Sequence, residues 1–253
     1  MRLPRLGLLL TLLAAITPGA RAQTQYEQVL VPFDSATLAT GGARWFAELW
    51  VRNDGPEPVN LFPGECFFIG LETPCTRRID VPAGRTVLLD LQEDRADRPG
   101  VFLYVPRDRL DDVHFSLRVR DLSRGGDQIG TEIPVVRQSE IRNGVRTLLN
   151  VPLQLNGRLT LRLYTPEAPG AQFIVRVFAE PTGDLIAQRT FQHGGATDPP
   201  SPAVAPLTID ASSIFQGWVA DRVRVTIEST RPYWPLLTIT NVRNKQITTV
   251  TPH

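Results

Sequence analysis

The chain has 253 residues, 27 of them basic and 26 acidic, for a formal net charge of +1, with 42% apolar residues, 22 prolines, 19 glycines and two cysteines. That balance sets up no field to steer nucleic acid or anionic lipid toward the surface, and the apolar fraction is too high for a disordered chain. The length allows two domains of about a hundred residues each.

Residues 1–22, MRLPRLGLLLTLLAAITPGARA, carry the three parts of a secretory signal peptide. Arg2 and Arg5 make the positive start. Leu6 to Ile16 make an apolar run too short to span a bilayer as a helix. Ala20-Arg21-Ala22 is an A-x-A cleavage site. A buried N-terminal helix or an anchor is the alternative reading. Cleavage predicts a mature chain from Gln23, with basic residues reduced from 27 to 24 against 26 acids and a charge of −2. No cysteine follows the cleavage site, so no lipoprotein anchor is expected. No later apolar run has the length of a transmembrane segment. The expected location is secreted or periplasmic.

Next in the chain, WFAELWVRN (45–53) alternates, with Trp45, Ala47, Leu49 and Val51 on one face. Trp45 and Trp50 fall on opposite faces, so one of them faces outward or meets a second domain. A turn follows at Asn53-Asp54-Gly55. The only cysteines, Cys66 and Cys75, come next, eight residues apart in CFFIGLETPC. A C-x-x-C redox motif needs two intervening residues, and a zinc site needs further Cys or His ligands nearby. An exported chain meets an oxidising space, where disulfides persist. A Cys66–Cys75 staple across a turn at Glu72-Thr73-Pro74 is therefore expected, contributing about 2–3 kcal/mol on the loop-entropy model. Two free thiols are the alternative.

Period-two alternation continues through the rest of the chain. VHFSLRVRDL (113–122) sends Val113, Phe115, Leu117 and Val119 one way and His114, Ser116, Arg118 and Arg120 the other. LTLRLYTP (159–166) places Leu159, Leu161 and Leu163 inward. FIVRVFAE (173–180) and DRVRVTIEST (221–230) repeat the pattern. Such alternation argues half-buried strands of antiparallel sheets rather than helices. Turn signals recur about every ten residues, at Pro82-Ala83-Gly84, Asn156-Gly157 and Pro181-Thr182-Gly183 among others, which suggests sandwiches or barrels. About eight strands lie on each side of a polar break, RQSEIRNG (137–144), a count typical of immunoglobulin-like domains. The expected fold is all-β: two antiparallel immunoglobulin-like β-sandwich domains, 23–138 and 139–253. The two halves share a strand-turn-strand look, which duplication and generic hairpins both produce. HGGATDPPSPAVAP (193–206) reads as a long internal loop, and DASSIFQGW (210–218) as a helical turn capped by Ser212 or Ser213.

WVRNDGPEPVNL resembles the Asn-x-Gly strand-turn-strand of bacterial secreted immunoglobulin-like and adhesion-related modules. EIPVVRQSE, LTLRLYTPE and LLTITNVRNKQITTVTP resemble segments of uncharacterised exported bacterial β-sandwich proteins. The resemblance covers most of the mature chain and implies fold and export. It brings no catalytic residue, and the tail departs from it at Arg243 and Lys245.

Chemistry is sparse. No G-x-S-x-G elbow, S-x-x-K, H-E-x-x-H or phosphate-binding glycine loop occurs. His114 alternates outward on a strand. His193, before Gly194-Gly195, is the better candidate ligand or base, and is expected on an exposed loop. The acids of DLQEDRADRPG (90–100) and DRLDD (108–112) alternate with arginines, as solvated loops do. Clustered carboxylates also suit calcium, though without EF-hand spacing. Tyr233 and Trp234, in RPYWP, and Trp50 are flat surfaces able to stack on sugars or anchor a protein. Core filling beside a strand end is the plainer reading of the first two. The expectation is a non-catalytic structural or adhesion protein of the bacterial envelope or extracellular space, with no cofactor or metal, meeting an extracellular protein or a glycan. A carbohydrate-binding module built on Trp50, Tyr233 and Trp234 is the first rival, and a hydrolase with unrecognised acids the second.

Overall fold

The computed structural model describes residues 25–32, 45–64, 78–90, 100–122, 130–153, 157–166, 170–194, 206–215, 221–241, 243 and 246–253. The signal segment, both cysteines with their turn, and most of the acidic stretch 90–100 lie outside the described residues.

The chain is all-β. The strands before Gln138 are β1 (Tyr26–Val31), β2 (Trp45–Asn53), β3 (Val59–Pro63), β4 (Ile79–Val81), β5 (Thr86–Asp90), β6 (Val101–Pro106), β7 (Val113–Asp121), β8 (Thr131–Ile133) and β9 (Val136–Arg137). Those after it are β10 (Arg142–Pro152), β11 (Gly157–Tyr164), β12 (Gln172–Ala179), β13 (Leu185–Gln192), β14 (Leu207–Asp210), β15 (Arg222–Asn241) and β16 (Ile247–Val250). The polar break at 137–144 is no loop. It is the end of β9, a 3₁₀ turn over Gln138–Glu140 and the start of β10.

The first nine strands form two antiparallel sheets, ordered β4-β3-β6-β1-β9 and β5-β2-β7-β8. Their inward faces share one core. Val29, Val31, Leu61 and Leu103 of the first sheet meet Ala47, Leu49, Val51, Leu117 and Val119 of the second. Alternation does this work: Ala47, Leu49 and Val51 are fully buried, whereas Trp50 between them is 40% exposed. Trp50 is thus the outward tryptophan of β2.

The last seven strands join around β15, in the order β13-β12-β15-β11-β14, with β10 and β16 also paired to β15. β15 is 20 residues long and works in two parts. Its first part pairs with β12 and β10, and its second with β11 and β16. Between them the register slips. Gly144 faces Ser229 and Arg142 faces Tyr233, so Thr230, Arg231 and Pro232 bulge opposite the single Asn143. Pro232 lacks the N–H that an unbroken ladder would require, and a bulge bends its strand. Both parts of β15 then contribute to one core, in which Val225 and Ile227 join Tyr233, Leu237, Leu161, Phe173 and Val175.

Two expectations change here. LTLRLYTP was expected to show water its alternate residues, yet residues 159–164 are all buried. Leu159, Leu161 and Leu163 enter the second core. Tyr164, with Trp234 and Leu236 of β15, packs into the first. The outer face of this part of the sheet is therefore sealed by the N-terminal strands. At Gly100 a Cβ would stand 2.9 Å from Tyr164 Cε1, and Thr131 Oγ1 donates to the Ile247 carbonyl at 2.9 Å. Arg162 is buried in this layer and donates from Nη1 to Thr238 Oγ1 at 3.0 Å, which offsets part of the cost of removing its charge from water. Second, within 210–215, the described part of the helical turn expected over 210–218, there is a 3₁₀ turn, Ala211–Ser213, whose cap is Asp210 rather than Ser212 or Ser213. The carboxylate one residue earlier reaches the free Ser212 N–H at 3.1 Å. Ser212 instead accepts from the Leu159 N–H.

Candidate functional site

The sequence-nominated residues do not converge. Tyr233 is fully buried. Its ring meets Phe173 edge-on at 5.3 Å, and its hydroxyl lies 2.5 Å from the Ile227 carbonyl and 3.2 Å from that of Gly144. Burial raises its pKa above the ordinary tyrosine value. Trp234 is 3% exposed against Tyr164. Prolines on both sides suggested a displayed aromatic pair. Because the strand is covered on both faces, each ring faces a core, and neither is available to stack on a sugar.

His193 is also not where the sequence placed it. It is buried, at 7% exposure, just past the end of β13. Its N–H donates to the Ala171 carbonyl at 2.8 Å, its own carbonyl accepts from Gly170 N–H at 3.3 Å, and Nδ1 lies 3.0 Å from the Gly194 carbonyl. The β12–β13 ladder thus runs on through His193 before the glycines, and the side chain is buried there.

The remaining candidate, Trp50, stands in the middle of an open face. The outer side of β5-β2-β7-β8 is set by β2, whose outward residues are Phe46, Glu48, Trp50 and Arg52. The register puts Leu88 on one side of Trp50 and Ser116 on the other. Leu88 is 44% exposed. One row along, Arg52 lies between Thr86 and His114. Arg52 Nε donates to Asp54 Oδ1 at 2.6 Å, and His114 Nε2 lies 3.2 Å from Asp54 Oδ2. In the other direction Arg120 donates to Glu48 and lies 5.5 Å from the centre of the Phe46 ring, within cation–π range.

The Asn53-Asp54-Gly55 turn holds one end of this face. Asn53 is fully buried and its amide is satisfied. Nδ2 donates to the Glu57 and Val81 carbonyls at 2.7 and 3.1 Å, and Oδ1 accepts from Gly55 N–H at 2.9 Å. A Cβ on Gly55 would lie 2.8 Å from Asp112 Oδ2, so a larger residue there would push that carboxylate aside. The acids nearby are matched with arginine: Arg109 with Glu57 and Asp112, Arg137 with Asp111. Among the described residues no group of three or more His, Cys, Asp or Glu is placed to hold a metal ion, and no helix is long and apolar enough to cross a membrane.

Sequence reading missed Leu88 and Ser116 as neighbours of Trp50, which strand pairing alone brings together. Comparison with family models, curated proteins and solved structures gave no match.

Proposed function

We propose that this is a non-catalytic, exported bacterial protein of the envelope or extracellular space, structural or adhesive in role, which makes contact through the outer face of β5-β2-β7-β8. The observation that carries the reading is the exposed Trp50–Leu88 pair on a face where Arg52 is matched with Asp54 and Arg120 with Glu48. The same reading includes a signal peptide over 1–22, two immunoglobulin-like sandwiches over 23–138 and 139–253, and a Cys66–Cys75 bond. The second core, drawn wholly from residues after 139, supports a separate second unit, while the first also takes in Tyr164, Trp234 and Leu236. Against a hydrolase stand the arginine partners of Glu57, Asp111 and Asp112 and the closed environment of His193.

The mature chain from Gln23, recovered from the periplasm, should bind in a screen of glycans and extracellular proteins and turn over none of a panel of glycoside, peptide and ester substrates. Turnover that co-purifies with the protein would make the hydrolase the better account.

A further inference from the structure

We propose that the face around Trp50 binds an uncharged glycan, with the indole as stacking platform; this rests on the non-catalytic binding role proposed above and names its ligand class. The apolar centre of the face is one aromatic and one aliphatic side chain directly opposite each other. An indole presents a broad apolar surface with an electron-rich face, and the C–H face of a pyranose is its natural complement. A protein hot spot, by contrast, is a desolvated pocket ringed by contacts that exclude water. Here charged side chains occupy the adjacent rows.

Those charges also set the ligand's charge. Arg52 and His114 share Asp54, and Arg120 holds Glu48. Arg118 stands between Glu48 and Glu132 on neighbouring strands. A polyanion or polycation that took Arg52, Asp54, Glu48 or Arg120 as its partner would have to break the pairs these residues form. Hydroxyl groups can bond to their unused donors and acceptors, and to Ser116 beside the indole, while leaving them intact.

The test is affinity electrophoresis of the full mature chain in gels containing neutral polysaccharides (a β-glucan, a xylan, a mannan, an α-glucan), with hyaluronate as the anionic control. At least one neutral polymer should retard the wild type. Trp50→Ala should weaken that retention about tenfold or more, with an unchanged melting temperature. Trp50→Phe should restore part of it, and Leu88→Asn should weaken it without touching the indole. Retardation by no neutral polymer, or by hyaluronate alone, overturns the neutral-glycan assignment and leaves the binding role to its own screen. Equal retardation of Trp50→Ala and wild type overturns the face. Concentration-dependent self-association abolished by Trp50→Ala would overturn the glycan in favour of a second copy of the chain.

Discussion

Two outer sheet faces of this molecule each carry a tryptophan, and they have opposite fates. On the sheet face formed by β11 and the second part of β15, Trp234, Tyr164 and Leu236 are covered by the N-terminal strands and belong to their core. On the face of β5-β2-β7-β8, Trp50 and Leu88 are covered by no other described residue to the same degree and keep 40% and 44% of their surface in water. The first face is completed within the chain and holds it together. The second is left open. The same residue type thus serves cohesion in one place and, on the present account, contact in the other. What separates them is not the indole but what lies against the face: the first packs into the core of the N-terminal strands, whereas Trp50 and Leu88 stay exposed between rows that carry Arg52 and Glu48.

Stability measurements test this contrast from both sides. Trp234→Ala should destabilise the protein most, by about 3–5 kcal/mol in chemical denaturation, because a large buried side chain leaves a cavity that neighbouring strands cannot close. A loss comparable to that of an exposed residue would mean the sealed face is not sealed. Asn53→Ala should cost about 2–3 kcal/mol. It strands the Glu57 and Val81 carbonyls and the Gly55 N–H that the amide satisfies. This change should also loosen the end of the open face, seen as faster amide exchange at Asp54 and Gly55.

Tyr233→Phe should cost about 1 kcal/mol at neutral pH and alter the alkaline limb. Burial raises the Tyr233 pKa above its unfolded value of 10.0, so the folded state keeps its proton where the unfolded state gives it up. The stabilisation is full below about pH 10 and is lost as pH rises beyond it. The variant should show a shallower alkaline decline, with the remainder shared by Tyr104, whose pKa burial also raises. An unchanged slope would place the Tyr233 hydroxyl in water. Smallest of all, Trp50→Ala should shift stability by no more than about 0.5 kcal/mol.

Much of the open face was legible in the sequence. The period-two pattern put Trp45, Ala47, Leu49 and Val51 on one face and Trp50 on the other, leaving open which tryptophan faces outward, and it placed His114 on the solvent side of β7. The Asn-x-Gly turn was legible too, because its chemistry is local. What could not be read was how strands pair. The meeting of Trp50 with Leu88 depends on register across the intervening β3 and β4. The sealed face was misjudged for a related reason. Alternation reports one wet side only when nothing else in the chain lies against it, and Arg162 looked like a solvent residue. The uninterrupted apolar run from Tyr233 to Leu237 was the available signal that this strand is covered on both faces. His193 was misplaced because two glycines after it suggested a loop, although the β12–β13 ladder extends one residue past the point where the apolar pattern fades.

The contrast between the two tryptophans is tested most directly by oxidising the native protein with limiting N-bromosuccinimide and reading modification peptide by peptide in a mass spectrometer. Trp50 should be modified at low reagent, and Trp234 only after the protein is unfolded. Protection of Trp50 in the native, ligand-free protein, or modification of Trp234 at the same rate, would contradict the account.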